Sequence, residues 1–172
     1  MRGYFGVGAE EISKEMNLGA LMRTAHAFGA SFFFTVKAAT KLRTAYKADT
    51  SKSFAHVPYF AWDSVEALRL PLGCALVGVE LTDDAVELPA FKHPPAAAYV
   101  LGRERGSLSP EMQARCSHIV KIPTRFSLNV GLAGALVMYD RLVCLGGYPA
   151  RPIMPGGPPL EMTSAPKPGR RK

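Results

Sequence analysis

Short, unbroken apolar runs separated by helix-forming stretches constrain this chain more than any other feature. Cys74–Glu80 and Ala97–Gly102 are apolar almost throughout and lack the alternation of a half-exposed strand. Such a strand is buried on both faces, the usual condition of a parallel sheet covered by helices. Gly3–Val7, Ser31–Val36, Phe54–Phe60 and His118–Ile122 are further strand candidates. Between the first two, Leu18, Leu21, Met22, Ala25, Phe28 and Gly29 recur at spacings of three and four. That period predicts a helix with one buried face, capped by Asn17 and ended at Gly29. Shorter helices are expected at Asp63–Leu70, with Asp63 as cap, and at Pro110–Cys116; a long one is expected at Asn129–Leu145. Strands interleaved with helices indicate an α/β fold, a mostly parallel sheet flanked by helices.

Composition sets the limits of that fold. With 172 residues, 48% of them hydrophobic, the chain can bury one full core. The domain is expected to span residues 1–150. Seven of the fourteen prolines lie between Pro149 and Pro168, mixed with glycines. Neither helix nor ladder tolerates that density, so 151–172 is expected to be a disordered basic tail. The net charge is +7, and the tail carries Arg151, Lys167, Arg170, Arg171 and Lys172 against Glu161 alone. A basic balance favours a polyanionic partner, because neutralising phosphates releases counterions. No apolar run approaches the roughly 20 residues that span a bilayer, and no signal peptide is evident at the start. Cys74, Cys116 and Cys144 have no metal-ligand spacing and read as buried, reduced thiols, which together point to a cytoplasmic protein.

Three segments carry candidate chemistry. In open α/β sheets ligands bind beyond the carboxyl ends of the strands, and each segment follows a predicted strand. The first, Asn17–Ala30, places Arg23 on a helix among inward-facing neighbours. The second, Leu101–Pro110, sets Arg103, Glu104 and Arg105 between Gly102 and Gly106, where the backbone can turn tightly and admit a ligand. The third, Ile122–Leu132, offers Ser127 and Asn129 at the start of the last helix, where unpaired N–H groups also point outward. That helix carries Gly131, Ala133, Gly134 and Ala135, small residues that allow close approach within the domain or across a dimer interface. Neither GxGxxG nor a P-loop motif is present, which weighs against a nucleotide-dependent enzyme such as a dehydrogenase.

In order, the three segments resemble the SpoU/TrmH family of RNA 2′-O-ribose methyltransferases, within the SPOUT superfamily. The first motif is matched by Asn17, Gly19, Ala20, Arg23, Thr24, Phe28 and Gly29, and the second by Leu101, Gly102, Glu104 and Leu108. The third is matched by Ile122, Pro123, Ser127, Leu128, Asn129 and Val130. Two positions depart from the pattern. Ser107 stands where the family has a glycine before the leucine, and Gly131 follows the Asn-Val pair.

The resemblance implies a C-terminal deep trefoil knot and S-adenosylmethionine as cofactor, held by Val79, Gly102, Ile122 and Leu128. It implies no metal, because the sulfonium already activates the methyl group. It assigns Arg23, Asn17, Glu104, Ser127 and Asn129 to the catalytic site. A guanidinium rarely deprotonates, so Arg23 is expected to hold a phosphate and stabilise a developing alkoxide rather than act as a base. The family works as a homodimer, for which the small-residue face of the last helix is suited. The RNA substrate is expected to be tRNA rather than ribosomal RNA, and the ending Leu145–Pro149 resembles compact members acting at the tRNA wobble position. A catalytically inactive RNA-binding module is the alternative, against which Arg23, Glu104 and Asn129 argue.

Overall fold

The structure, a computed structural model, describes residues 3–39, 53–103, 106–146, 148 and 155–156. Seven strands form one sheet, all neighbours parallel: β1 (Tyr4–Glu10), β2 (Phe32–Val36), β3 (Tyr59–Trp62), β4 (Ala75–Val79), β5 (Val86–Glu87), β6 (Ala96–Leu101) and β7 (His118–Lys121). Their spatial order is β3-β2-β1-β6-β4-β7-β5. Among the described residues the α-helices are α1 (Glu15–Ala27), α2 (Pro110–Arg115) and α3 (Val130–Leu145). The α/β, mostly parallel fold expected from the apolar runs is therefore the observed one. β6 is central because Ala97, Ala98, Tyr99, Val100 and Leu101 are all buried, leaving no face that water could wet.

Each face of the sheet is covered by a different layer. On one, Val7, Ala9 and Phe33 pack with Leu18, Leu21 and Met22 of α1 and Met138 of α3. On the other, Phe34, Val36, Ala98 and Val100 meet Val65, Leu68 and Met112. The α1–α3 contact depends on Gly134, where an added Cβ would overlap Leu21 Cδ1. Gly131 also faces α1, with its Cβ position at an ordinary contact distance of 3.4 Å from Ala20 Cβ. These two small residues thus face α1 within the domain. The outward side of α3 instead carries Leu132, Leu136, Tyr139 and Leu142, all exposed.

Several sequence expectations need correction. Asn17 does not cap α1. The helix begins at Glu15, with Lys14 at the cap position, and Asn17 is buried in the first turn. Gly29 does end it, in the left-handed region at φ +76°. Asp63–Leu70 forms turns rather than a helix. The Leu68 N–H closes a single turn on the Val65 carbonyl at 3.2 Å, and the carbonyls of Val65 and Leu68 also accept from the Arg115 guanidinium of α2, which holds the segment in that shape. In Phe54–Phe60 the strand starts only at Tyr59; before it lie a short 3-10 turn, Ser53–Ala55, and Pro58, which has no N–H to give a ladder. β5 has no apolar run to announce it. The three cysteines are free, as expected, but Cys144 is exposed and Cys74 half-buried. Burial pushes the half-buried Cys116 thiol up to about 12. Apart from residues 155–156, the tail expectation for 151–172 lies outside the described residues.

At the amino ends of the strands a polar junction fixes α3 to the sheet. Arg141, buried, donates to the carbonyls of Pro94 (2.6 Å), Pro95 (2.7 Å) and Tyr4 (3.2 Å), and to the Tyr99 hydroxyl (3.2 Å). His93 bridges Tyr99 (2.6 Å) and Asp140 (2.9 Å). Burial pushes the Tyr99 hydroxyl up to about 12, although Arg141 opposes the shift. Burial also holds His93 below its ordinary value, outweighing the pull of Asp140.

Candidate functional site

Because every strand runs the same way, the loops after β1, β4, β6 and β7 all emerge at one edge of the sheet, where they enclose a cleft of about 250 Å³. Its lining includes Asn17, Val79, Gly102, Ile122, Ser127, Leu128 and Asn129, drawn from segments far apart in sequence. All four residues expected to hold a cofactor are present, with three of the five expected catalytic ones. Arg23 is exposed on α1 and does not line the cleft. Glu104 lies outside the described residues.

The third segment shapes one wall. Asn129 is the cap of α3, its Oδ1 accepting from the Gly131 N–H at 2.9 Å. Its Nδ2 donates to Asn17 Oδ1 at 3.0 Å. One amide therefore starts α3 and ties it to the first turn of α1. Ser127 has no capping role and is exposed at the cleft. Thr124 steadies the loop by donating from Oγ1 to the Phe126 carbonyl at 2.9 Å.

The second segment forms the facing wall. Gly102 follows β6 directly, and a Cβ there would lie 3.0 Å from the Leu108 nitrogen and 3.2 Å from the Ser107 carbonyl carbon. A bare backbone is thus required where the loop folds back on itself. Glu80, Lys14 and Leu81 also line the cleft, although the sequence reading did not select them, and Arg103 joins them from the second candidate segment. Arg103 pairs with Glu11 at 3.0 Å in an exposed bridge of small energetic weight. A charged residue directly after an apolar strand, as at Glu80, was the available signal. Among the described residues no cluster of three or more His, Cys, Asp or Glu could hold a metal ion, and no helix is long and apolar enough to cross a membrane.

Backbone amides and carbonyls beside apolar side chains suit a ligand with a flat, hydrogen-bonding base and a small charged group. Val79, Leu101, Ile122 and Leu128 offer apolar contact, and Gly102 brings backbone groups to the wall of the cleft. S-adenosylmethionine fits that chemistry.

The chain is 28% identical over 137 residues, 76% of its length, to the tRNA (guanosine(18)-2'-O)-methyltransferase of Escherichia coli K12, and spans 59% of that relative. An AdoMet-bound rRNA methyltransferase from Sinorhizobium meliloti superposes with a TM-score of 0.73 at 23% identity, over 84% of this chain and 58% of that one. A protein solved in a study of the 2-OH methylation of C/U34 on tRNA superposes with a TM-score of 0.75 at 22% identity, over 86% of this chain and 100% of that one. These two superpositions establish the shared fold. The model of the SpoU rRNA Methylase family matches residues 5–139, most of the described domain, and the chain belongs to that family.

Proposed function

We propose that the chain is an S-adenosylmethionine-dependent RNA 2′-O-ribose methyltransferase acting on tRNA. The observation that carries this reading is the meeting of Val79, Gly102, Ile122, Leu128 and Asn129 in one cleft at the carboxyl edge of the sheet. When bound, S-adenosylmethionine supplies a methyl group already activated by its sulfonium. The chain has to hold that group in line with a ribose hydroxyl and exclude competing water. Gly102 and the Ile122–Leu128 loop present backbone groups for orientation, while the Asn17–Asn129 pair fixes the two helices that bound the cleft. Ser127 adds a hydroxyl to the rim of the cleft, and Glu104 keeps the catalytic assignment that the family resemblance gives it.

Arg23 takes the role of phosphate anchor and alkoxide stabiliser. Its exposed place on α1, outside the cofactor cleft, suits contact with an RNA backbone laid across the surface. A guanidinium holds a phosphate through two parallel N–H donors, which an ammonium cannot reproduce. Arg23→Lys is therefore expected to lose most activity, and near-full activity would overturn the bidentate role.

The preference for tRNA draws on the names of the curated relatives, and on the whole-length match to the protein studied for tRNA methylation. The enzyme is proposed to be cytoplasmic and homodimeric, the exposed Leu132, Leu136, Tyr139 and Leu142 stripe of α3 offering the apolar surface that a dimer would bury. The knot belongs to the same reading, supported by the position of β6 between β1 and β4. Calorimetry with S-adenosylmethionine, followed by mass spectrometry of nucleosides from tRNA and rRNA incubated with both, tests the proposal. Binding and a new 2′-O-methyl nucleoside in tRNA are expected; failure to bind the cofactor would refute it. Sedimentation of wild type and Leu136→Glu tests the dimer, which the variant is expected to dissociate.

A further inference from the structure

Two carboxylates stand at the carboxyl ends of the strands flanking β6, and both reach the loop that β6 feeds. Glu10, at the end of β1, is 1% exposed. Its Oε2 accepts from the Ser109 N–H at 2.8 Å and its Oε1 from the Ser109 hydroxyl at 2.6 Å. Glu80 follows β4 on the other side. Its Oε2 accepts from the Leu108 N–H at 2.7 Å and its Oε1 from the Leu81 N–H at 2.9 Å. Consecutive amides of one loop are thus held from opposite sides. The Leu108 carbonyl is taken as well, by Gln113 Nε2 at 2.7 Å, and Ser109 Oγ caps α2 through the Met112 N–H.

This arrangement is more than ordinary satisfaction of backbone donors. One neutral acceptor would serve an amide in a loop, whereas a buried carboxylate carries a desolvation cost that only several donors offset. The bonds also meet the loop where it folds back against Gly102, at the Leu108 nitrogen 3.0 Å from the Cβ position of that glycine. Displacing Leu108 would move the wall that Gly102 presents to the cleft.

We propose that Glu10 and Glu80 are positioning residues that clamp Leu108 and Ser109 against Gly102, in the arrangement that receives the cofactor. The clamp rests on the reading of the cleft as an S-adenosylmethionine site. Glu80→Gln separates the two ideas. Its amide keeps one oxygen acceptor but turns an NH₂ towards one of the two N–H donors that the carboxylate now serves, so one of them must let go.

The test is calorimetry with S-adenosylmethionine on the full chain, paired with amide hydrogen exchange of wild type, Glu80→Gln and Glu10→Gln. Wild type is expected to bind, and binding is expected to slow exchange at the Leu108 and Ser109 amides. Glu80→Gln is expected to weaken binding about tenfold and to speed exchange around Leu108 while protection of β1 and β6 is retained. If wild type fails to bind, the reading of the cleft falls. If wild type binds and Glu80→Gln binds equally well, the clamp falls. Weakened binding accompanied by an equal loss of protection throughout the sheet would also overturn it, because the effect would then be global destabilisation. Should Glu10→Gln fail to fold, Ser109→Ala removes one of its bonds and is expected to speed exchange of the same loop.

Discussion

Asn129 joins two tasks in one side chain, and the Ala and Asp replacements separate them. Its Oδ1 caps α3 at 2.9 Å and its Nδ2 donates to Asn17 at 3.0 Å. Removing a cap of this type costs about 1 kcal/mol. A neutral hydrogen bond contributes about 1 kcal/mol net. Asn129→Ala loses both and is expected to destabilise the domain by about 2 kcal/mol. Asn129→Asp keeps an oxygen acceptor for the Gly131 N–H and adds a negative charge at a helix N-terminus, which contributes about 0.3–1 kcal/mol. It also sets two oxygens against each other at Asn17. Its net loss is therefore expected to be about 1 kcal/mol or less. Urea unfolding followed by circular dichroism measures both, with the slope checked for constancy. Cofactor calorimetry on the same samples reports the tie to α1 separately, and Asn129→Asp is expected to bind more weakly than its stability alone would require. An Asp variant as unstable as the Ala variant would refute the assignment of the cap, and an Ala variant within 0.5 kcal/mol or so of wild type would refute both contributions.

Other outcomes follow from the core and the amino-end junction. Arg141→Met leaves the Pro94 carbonyl without its charged donor, while Pro95 keeps the Tyr4 N–H, and should cost about 1–3 kcal/mol in denaturant unfolding. Gly134→Val drives a branched side chain into Leu21, and overpacking of that kind should cost about 1–3 kcal/mol, read as a lowered thermal midpoint. His93 sits below its ordinary value because burial disfavours its charge, so between its folded and unfolded values the unfolded chain binds more protons. Its contribution is present in full above the unfolded value near 6.5 and is lost as pH falls towards the folded one. Stability measured from pH 7.5 to pH 5 should decline, and His93→Gln should flatten that part of the decline.

The sheet was legible where burial is two-sided, because residues such as Ala97–Leu101 cannot be apolar throughout unless both faces are covered. α1 was legible from its three-and-four spacing, and α3 from the length of its apolar stretch. What escaped depended on contacts distant in sequence. The Asp63–Leu70 segment has a helix-like composition, yet its Val65 and Leu68 carbonyls also receive the Arg115 guanidinium, a distant contact that no local pattern reveals. Asn17 has the chemistry of a cap, but its side chain meets Asn129. The cleft residues were selected through the resemblance of ordered motifs. Glu10 and Glu80 fall outside those motifs, so only the folded arrangement brings them to Leu108 and Ser109.

α3 is fastened near both of its ends. Asn129 joins its first turn to α1 beside the cleft, and Arg141 bolts its last turn to the starts of β1 and β6. Sixteen residues make a rod about 24 Å long. A rod held at one end can pivot, whereas one held at both can neither slide nor roll. Val130 and Ala133, which face the cleft, are thereby kept in register with the Ile122 loop by a joint at the opposite end of the domain. Loosening Arg141 would be felt as slack in the cleft wall, a mechanical link between two places that share no contact.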